Sequence, residues 1–391
     1  MLHPQTRAVH AGRPASPASG RPLSTPVHQS SAFAFDSADA LARAMAGPEG
    51  EFVYSRRGNP TVAALEAAVA GLEGGAAALA TGSGMGAISA VLLSLLRPGD
   101  HVVAQRCLYG GTHAVLRDLQ ERFGVEVDRI SGDDPAELAG VLLPETRLLL
   151  LETIANPTAQ VPDLPGLMTV AGEAGVVSVV DNSLASPVLC RPIEFGADIV
   201  VHSATKYLAG HSDVIGGVVV FADRELHGEV WQRAVELGST AAPIAAWLTL
   251  RGIQTLPLRM RQHCENAGLL AGRLSGHPEV TAVRWPLLPH HPSHETARRV
   301  LSGGGGMLSF DLAGGREAGR RFVESVRVAQ LALSLGGVET LVAHPASTSH
   351  RELDAAELRA AGIGEGTVRI AVGIEHPQDL WSDIENALKL S

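Results

Sequence analysis

The sequence predicts an α/β fold: a mostly parallel sheet in a large domain, followed by a smaller α+β domain. Three observations carry this. Between about residues 59 and 257, short runs rich in Val, Leu and Ala recur, each bounded by turn residues. Amphipathic helical stretches separate the runs. In the last third a long helical stretch gives way to two further strand-like segments. Strands apolar on both faces, alternating with helices, make a parallel sheet covered on both sides.

Residues 1–58 read as an arm. "HAGRPASPASGRPLSTP" is rich in Pro, Gly and Ser and predicts extended chain, with one short helix near 37–46. Such a composition builds no core of its own, so the arm is expected to lie on another surface, that of a neighbouring subunit. Residues 59–257 form the large domain. Its strands are "AAALATG", "HVVAQ", "RLLLLE", "VVSVVDN", "DIVVHS" and "GGVVVFA", with helices at 85–96, 111–123 and 164–174 among the connections. A helical stretch near 240–275 leads into the small domain, residues 258–391, where "GGGGMLSFDLAG" and "TVRIAVGIE" read as strands.

Composition narrows the function classes. A chain of 391 residues with 45% hydrophobic and 18% charged residues is globular and long enough for two or three domains. A net charge of −10 with 31 Lys and Arg argues against nucleic acid as a partner. No run of about 18 apolar residues suggests a membrane span. The N-terminus lacks the apolar core of a signal peptide. Cys107, Cys190 and Cys264 lie far apart, which fits a reducing cytoplasm and no thiolate metal site. The 16 histidines show no metal-binding spacing, so no metal is expected.

The chemistry centres on a lysine. In "VVHSATKYLAGHSDVIGG" an apolar strand carries Lys206 toward the interior, with Ser203 and Thr205 just before it. A lysine head group normally reaches water. In a parallel sheet, ligands bind outside the carboxyl ends of the strands, so the polar residues closing these runs, Asp181 and Ser203, mark the place. Asp181 suits a protonated ring nitrogen. "TGSGMGAI" (81–88) is a glycine-rich turn opening a helix, whose free N–H groups form an anion site. An amine, a ring-nitrogen carboxylate and a phosphate cradle on one sheet are the equipment for pyridoxal phosphate held as a Schiff base. Two rivals fit less well. A dinucleotide turn would want an acidic strand end about 20 residues on. Ser203-x-x-Lys206 also matches the nucleophile motif of penicillin-recognising hydrolases, but no Lys-Thr-Gly element accompanies it.

"YSRRGNPT" (54–61), "YGGT" (109–112), "ETIANPT" (152–158), "VVDNS", "HSATKYLAGHSDVIGG", "SLGGVETL" (334–341), "HPASTSH" (344–350) and "RIAVGIE" (369–375) occur in this order. Together they resemble the Cys/Met-metabolism pyridoxal-phosphate enzymes of fold type I, which include methionine γ-lyase, cystathionine γ-lyase, cystathionine γ-synthase and the O-acylhomoserine sulfhydrylases. The resemblance implies that Lys206 binds the cofactor covalently and later moves protons. It implies that Asp181 pairs with the ring nitrogen, and that Gly84, Met85, Ser203 and Thr205 hold the phosphate. Tyr54 and Arg56 are implied to reach the phosphate of the neighbouring subunit, in a homotetramer built from two dimers with shared sites. Tyr109 is implied to stack on the ring and to act as acid to the leaving group. Arg369, with Ser334 and Asn156, is implied to clamp the substrate α-carboxylate, a task suited to a guanidinium fork.

Substrate clues follow from the same resemblance. Cystathionine-handling members carry glutamates where this chain has Val53 and Leu333. An ammonium buried against these apolar residues would go unpaired. An apolar γ-substituent such as methylthio fits better, and the expected reaction is γ-elimination to 2-oxobutanoate, ammonia and a thiol. The alternative is γ-replacement on an O-acylhomoserine or cystathionine-type chemistry. The chain departs from methionine γ-lyases at Gly111 and at Ala234–Val235, and from the wider family at His28 and Ile154.

Overall fold

The structure is a computed structural model that describes residues 2–12, 22–45, 51–348, 358 and 362–391. The last two residues of "HPASTSH" and part of the Pro-rich arm lie outside the described residues.

Two sheets organise the described chain. The first contains β1 (Ala77–Thr81), β2 (His101–Gln105), β3 (Glu126–Ile130), β4 (Thr146–Glu152), β5 (Val177–Asp181), β6 (Ile199–Ser203) and β7 (Gly217–Phe221). Their order is β1-β7-β6-β5-β4-β2-β3. Only β7 runs antiparallel to its neighbours, so the sheet is mostly parallel, as expected. The second contains β8 (Val280–Arg284), β9 (Met307–Leu312), β10 (Gln330–Leu331), β11 (Leu341–Ala343) and β12 (Thr367–Ala371), in the order β10-β11-β12-β9-β8. Its pairs are antiparallel except β10 with β11.

Helices cover both faces of the large sheet because its strands are apolar on both. Val179, Val201 and Leu150 pack with Ile88, Val91 and Leu92 of the helix Gly84–Leu95. Val180, Val200 and Leu149 face the other way, against Leu65, Val69, Leu164 and Leu167. Helix boundaries follow local chemistry. The helix Pro60–Glu73 opens with Asn59 as cap and Pro60 in the first turn, and ends at Gly74 with φ 86°.

The helical stretch expected near 240–275 is two helices, Pro243–Ile253 and Leu256–Ser275. Pro257 sits in the first turn of the second, where its missing N–H costs nothing, and the chain restarts there. The arm carries a second helix, Pro4–Val9, besides the expected one at Ala38–Ala44. The edge strand β3, "EVDRI", escapes a search for apolar runs because its other face is exposed.

Period-two alternation orients the small sheet. Leu308, Phe310, Val368 and Ile370 point into its own core with Leu270, Phe322 and Ile384. Met307 and Ala371 on the opposite face join the core of the large sheet. Ser309 and Arg369, in register with one another, share that opposite face. Arg369 is thereby aimed at the large sheet. Among the described residues no helix is long and apolar enough to cross a membrane.

Candidate active site

The carboxyl ends of β1, β4, β5 and β6 place four polar residues on one face. Glu152 is in register with Asp181, and Asp181 with Val201 two residues before Ser203. Ser203 and Thr81 both pair with Gly217. Strand alternation puts Thr81, Glu152, Asp181 and Ser203 on the side covered by the helix Gly84–Leu95.

The first N–H groups of that helix have no intrahelical acceptor. Ser83 caps it by accepting the Gly86 N–H at 2.9 Å, leaving Gly84 and Met85 at the first two positions. Glycine is required at 84: a Cβ there would stand 2.8 Å from the Ser203 Cβ and 3.0 Å from its hydroxyl. The helix start and Ser203 thus form one small cradle. Thr205 closes its side by accepting the Gly216 N–H at 3.0 Å.

Lys206 follows in the turn after β6. Its Nζ donates to the Ser334 hydroxyl at 2.7 Å. Burial, with the nearby Arg369 charge, lowers its pKa to about 8, against the opposing pull of Asp181. The amine is therefore partly free near neutrality, as a nucleophile and proton carrier needs. Asp181 accepts the Ser183 N–H at 2.9 Å. Burial pushes its carboxyl above the usual range, while Ser183, His202 and Lys206 hold it down. Behind the strands, the buried His202 ring meets Glu73 at 2.6 Å, and Glu73 also accepts the Asn182 amide at 2.8 Å.

From the small sheet, Arg369 donates through Nη2 to the Ser334 carbonyl at 2.8 Å. Its buried Nε has no partner. Ser334 joins the two halves: its hydroxyl accepts from Lys206 and its carbonyl from Arg369, with its backbone at φ 91°. The Asn156 segment is tied to the same place, since the Pro157 carbonyl accepts from Ser309, the residue in register with Arg369.

Tyr109 follows β2 and precedes the helix Gly110–Phe123. Its N–H donates to Glu152. A Cβ at Gly111 would meet the Tyr109 ring at 2.6 Å and the Met85 sulfur at 2.8 Å, so a glycine here makes room for the ring beside Met85. Tyr54 and Arg56 are placed differently. Arg56 donates to the Val235 carbonyl at 2.7 Å and lies 5.8 Å from the Tyr54 ring. Their described contacts are with the arm and the helix Arg224–Leu237, not with the Lys206 group of their own chain. His28, on the arm, accepts from Asn59 and donates to Thr61. No cluster of His, Cys, Asp or Glu suited to a metal occurs among the described residues.

The family model for Cys/Met metabolism PLP-dependent enzymes matches residues 5–389. The chain belongs to this family. As a PLP-dependent enzyme it uses pyridoxal phosphate, and its own geometry fits that group: a cradle that a Cβ at 84 would fill, a buried amine with a lowered pKa, and a carboxylate on the same face. The chain is 44% identical to the L-methionine gamma-lyase of Pseudomonas deceptionensis, covering 98% of this chain and 96% of the relative. It is 42% identical to the cystathionine gamma-synthase of Mycobacterium tuberculosis over the same shares. Among solved structures, cystathionine gamma synthase from Xanthomonas oryzae pv. oryzae, in complex with aminoacrylate and cysteine, superposes with a TM-score of 0.92 at 42% identity, covering 100% of this chain and 98% of that one. Cystathione gamma lyase from Micromonospora echinospora gives 0.91 at 38%, covering all of both chains.

Reading the sequence of this PLP-dependent enzyme missed Glu152, Glu73 and His202 as members of the site's surroundings. The signal for Glu152 was present: "RLLLLE" ends in a polar residue just as "VVSVVD" does.

Proposed function

We propose that the chain catalyses γ-elimination on a methionine-like sulfur amino acid, releasing 2-oxobutanoate, ammonia and a thiol with consumption of one water. The observation that carries this reading is the residue before Ser334. Ser334 touches both Lys206 and Arg369; its chain neighbour Leu333 is apolar and 61% exposed, so it offers a substrate no charged partner. A distal ammonium brought against it would gain no counter-charge. The 42–44% identity to methionine gamma-lyases supports the same reading.

Bound pyridoxal phosphate supplies a ring that stores the charge released at the substrate carbon atoms. The chain does the rest. The Gly84 and Met85 N–H groups, Ser203 and Thr205 hold the phosphate, and Asp181 keeps the ring nitrogen protonated. Arg369 receives the α-carboxylate on its unpaired Nε side, with Ser334 and Asn156 beside it. Lys206 removes the α-proton and returns it further along the substrate. Tyr109 stacks on the ring and donates a proton to the departing sulfur.

The alternative is γ-replacement on an O-acylhomoserine or a cystathionine-type reaction. Gly111, unlike its counterpart in methionine γ-lyases, and the 42% identity to a cystathionine gamma-synthase favour it. The proposal includes the division into arm 1–58, cofactor domain 59–257 and small domain 258–391. It also includes a cytoplasmic homotetramer in which Tyr54 and Arg56 serve the neighbouring subunit's phosphate. The test is to incubate pure protein with methionine, cystathionine and O-acetyl- or O-succinylhomoserine, with and without thiol, and to follow 2-oxobutanoate. Keto acid from methionine is expected. No keto acid from methionine, with a thioether from acylhomoserine plus thiol, overturns elimination in favour of replacement.

A further inference from the structure

Glu152 is a buried acid to which the reading above gives no work. It closes β4, is 2% exposed, and stands in register with Asp181 on the neighbouring strand. One carboxylate oxygen, Oε1, accepts the Tyr109 N–H. The other, Oε2, is buried and makes no hydrogen bond of normal geometry. Its own N–H donates to Gln105 at 2.9 Å. The residue therefore touches the chain at Tyr109 and lies beside the carboxylate expected to face the cofactor ring.

Two carboxylates this close do not ionise independently; one of them keeps the proton. The surroundings decide which. Asp181 is faced by the Ser183 donors and by the Lys206 amine, with a further pull from His202 behind the strands. Glu152 is faced by Asp181 as a like charge, and its helping contacts are the Tyr109 and Asn156 N–H groups. A bound, protonated ring nitrogen would add a further cation on the Asp181 side. The negative charge belongs on Asp181 and the proton on Glu152. A neutral acid also explains how a carboxyl can be sealed off here at all, since a buried charge without a counter-ion is far more costly than a buried neutral group.

We propose that Glu152 is a positioning residue that stays protonated at the working site, so that Asp181 carries the charge and Tyr109 is held over the cofactor. The Oε1 contact fixes the backbone of Tyr109 at the start of its helix. The proton on the same carboxyl removes the repulsion that would otherwise weaken the hold of Asp181 on the ring nitrogen. This rests on the assignment of Tyr109 and Asp181 made above.

The test uses the holoenzyme and three variants. Glu152→Gln keeps an acceptor for the Tyr109 N–H and cannot ionise, so it imitates the protonated acid. Glu152→Ala removes both features. Tyr109→Phe checks the assignment on which the inference rests. The readouts are kcat and KM separately, the pH at which the visible absorption of substrate-free holoenzyme changes, and the melting temperature. Glu152→Gln is expected to stay within about threefold of the parent in kcat and to leave the absorption pH profile in place. Glu152→Ala is expected to lose tenfold or more in kcat with a smaller change in KM, and to displace that profile. Glu152→Gln, isosteric with the parent, keeps the test decisive if the alanine variant does not fold. If Glu152→Gln is as impaired as Glu152→Ala, or displaces the profile, the proton is not on Glu152 and the inference fails. If neither variant changes kcat or the profile, Glu152 positions nothing and the inference again fails. An unaffected Tyr109→Phe would instead overturn the role given to Tyr109, while the absorption profile still decides where the proton sits.

Discussion

The two halves of the site are made in different ways. On the large sheet, the polar residues stand at or just past strand ends and are braced by nearby chain: Asp181 accepts the Ser183 N–H, Ser83 accepts the Gly86 N–H, and Thr205 accepts the Gly216 N–H. On the small sheet, Arg369 lies mid-strand, and its link to the lysine passes through Ser334, a non-glycine residue at φ 91°. Ser334 is 128 residues from Lys206 and 35 from Arg369. The half proposed to hold the cofactor is built from local contacts. The half proposed to bind substrate depends on the two sheets meeting correctly, and it leaves the guanidinium Nε unpaired. A cofactor that stays bound suits the first design, and a substrate that comes and goes suits the second.

The largest effect should come from removing the hinge of the cofactor half. Lys206→Ala is expected to abolish turnover, by a factor of roughly 10² to 10⁴ or more for loss of a positioned acid–base group. It should also remove the visible absorption that a lysine-bound cofactor gives. Both are read on the purified variant reconstituted with pyridoxal phosphate. Turnover persisting at the parent level would break the assignment of the amine and, with it, the comparison.

Arg369→Ala tests the other half and should leave the first intact. The visible absorption is expected to survive, because no large-sheet contact is lost. The kcat/KM should fall on the order of a hundredfold, mostly through KM, since truncating one partner of a buried charge pair costs about 2–5 kcal/mol. Steady-state kinetics together with a spectrum of the resting enzyme separate the two. A lost spectrum with unchanged KM would show that Arg369 serves the cofactor rather than the substrate.

The same contrast sets how much of the molecule could be read from the sequence. The parallel sheet was legible because Val- and Leu-rich runs apolar on both faces have few other uses, and Asp181, Ser203 and Lys206 were legible as polar residues terminating such runs. The glycine turn at 81–88 was legible as a glycine-rich run opening a helix with free N–H groups, and the structure adds the steric need for glycine at 84. Arg369 was not legible from its strand alone: "TVRIA" gives a charged residue at a position that reads equally well as surface, and only the family motif singled it out. What buries it is the approach of the large sheet to the far face of β12, a long-range event with no local signature. Ser334 had no local signal either, since a positive φ is rarely expected of serine. Glu152 was passed over for the opposite reason: a charged strand end looks like a turn residue until its register with Asp181 is known.

A smaller effect joins the halves. Burial and Arg369 together lower the Lys206 pKa from 10.5 to about 8. Between those values the unfolded chain binds more protons at this position than the folded one, so this group makes cofactor-free protein more stable as pH rises from about 8 toward 10.5. Below pH 8 the folded state must hold a buried, charged amine beside a guanidinium, and the group's contribution is at its least favourable. Melting temperatures of cofactor-free parent and Lys206→Met should therefore differ by a pH-dependent amount, with the parent gaining on the variant as pH climbs through this window. In an Arg369→Ala background the gain should shrink, because one of the two causes of the lowered pKa has gone. An unchanged gain would mean that burial alone sets the amine and that the small sheet does not act on it electrostatically. A gain that vanished entirely would mean that Arg369, not burial, is the larger cause. Either result would redraw the division between the halves, at the Lys206 amine that Ser334 links to Arg369.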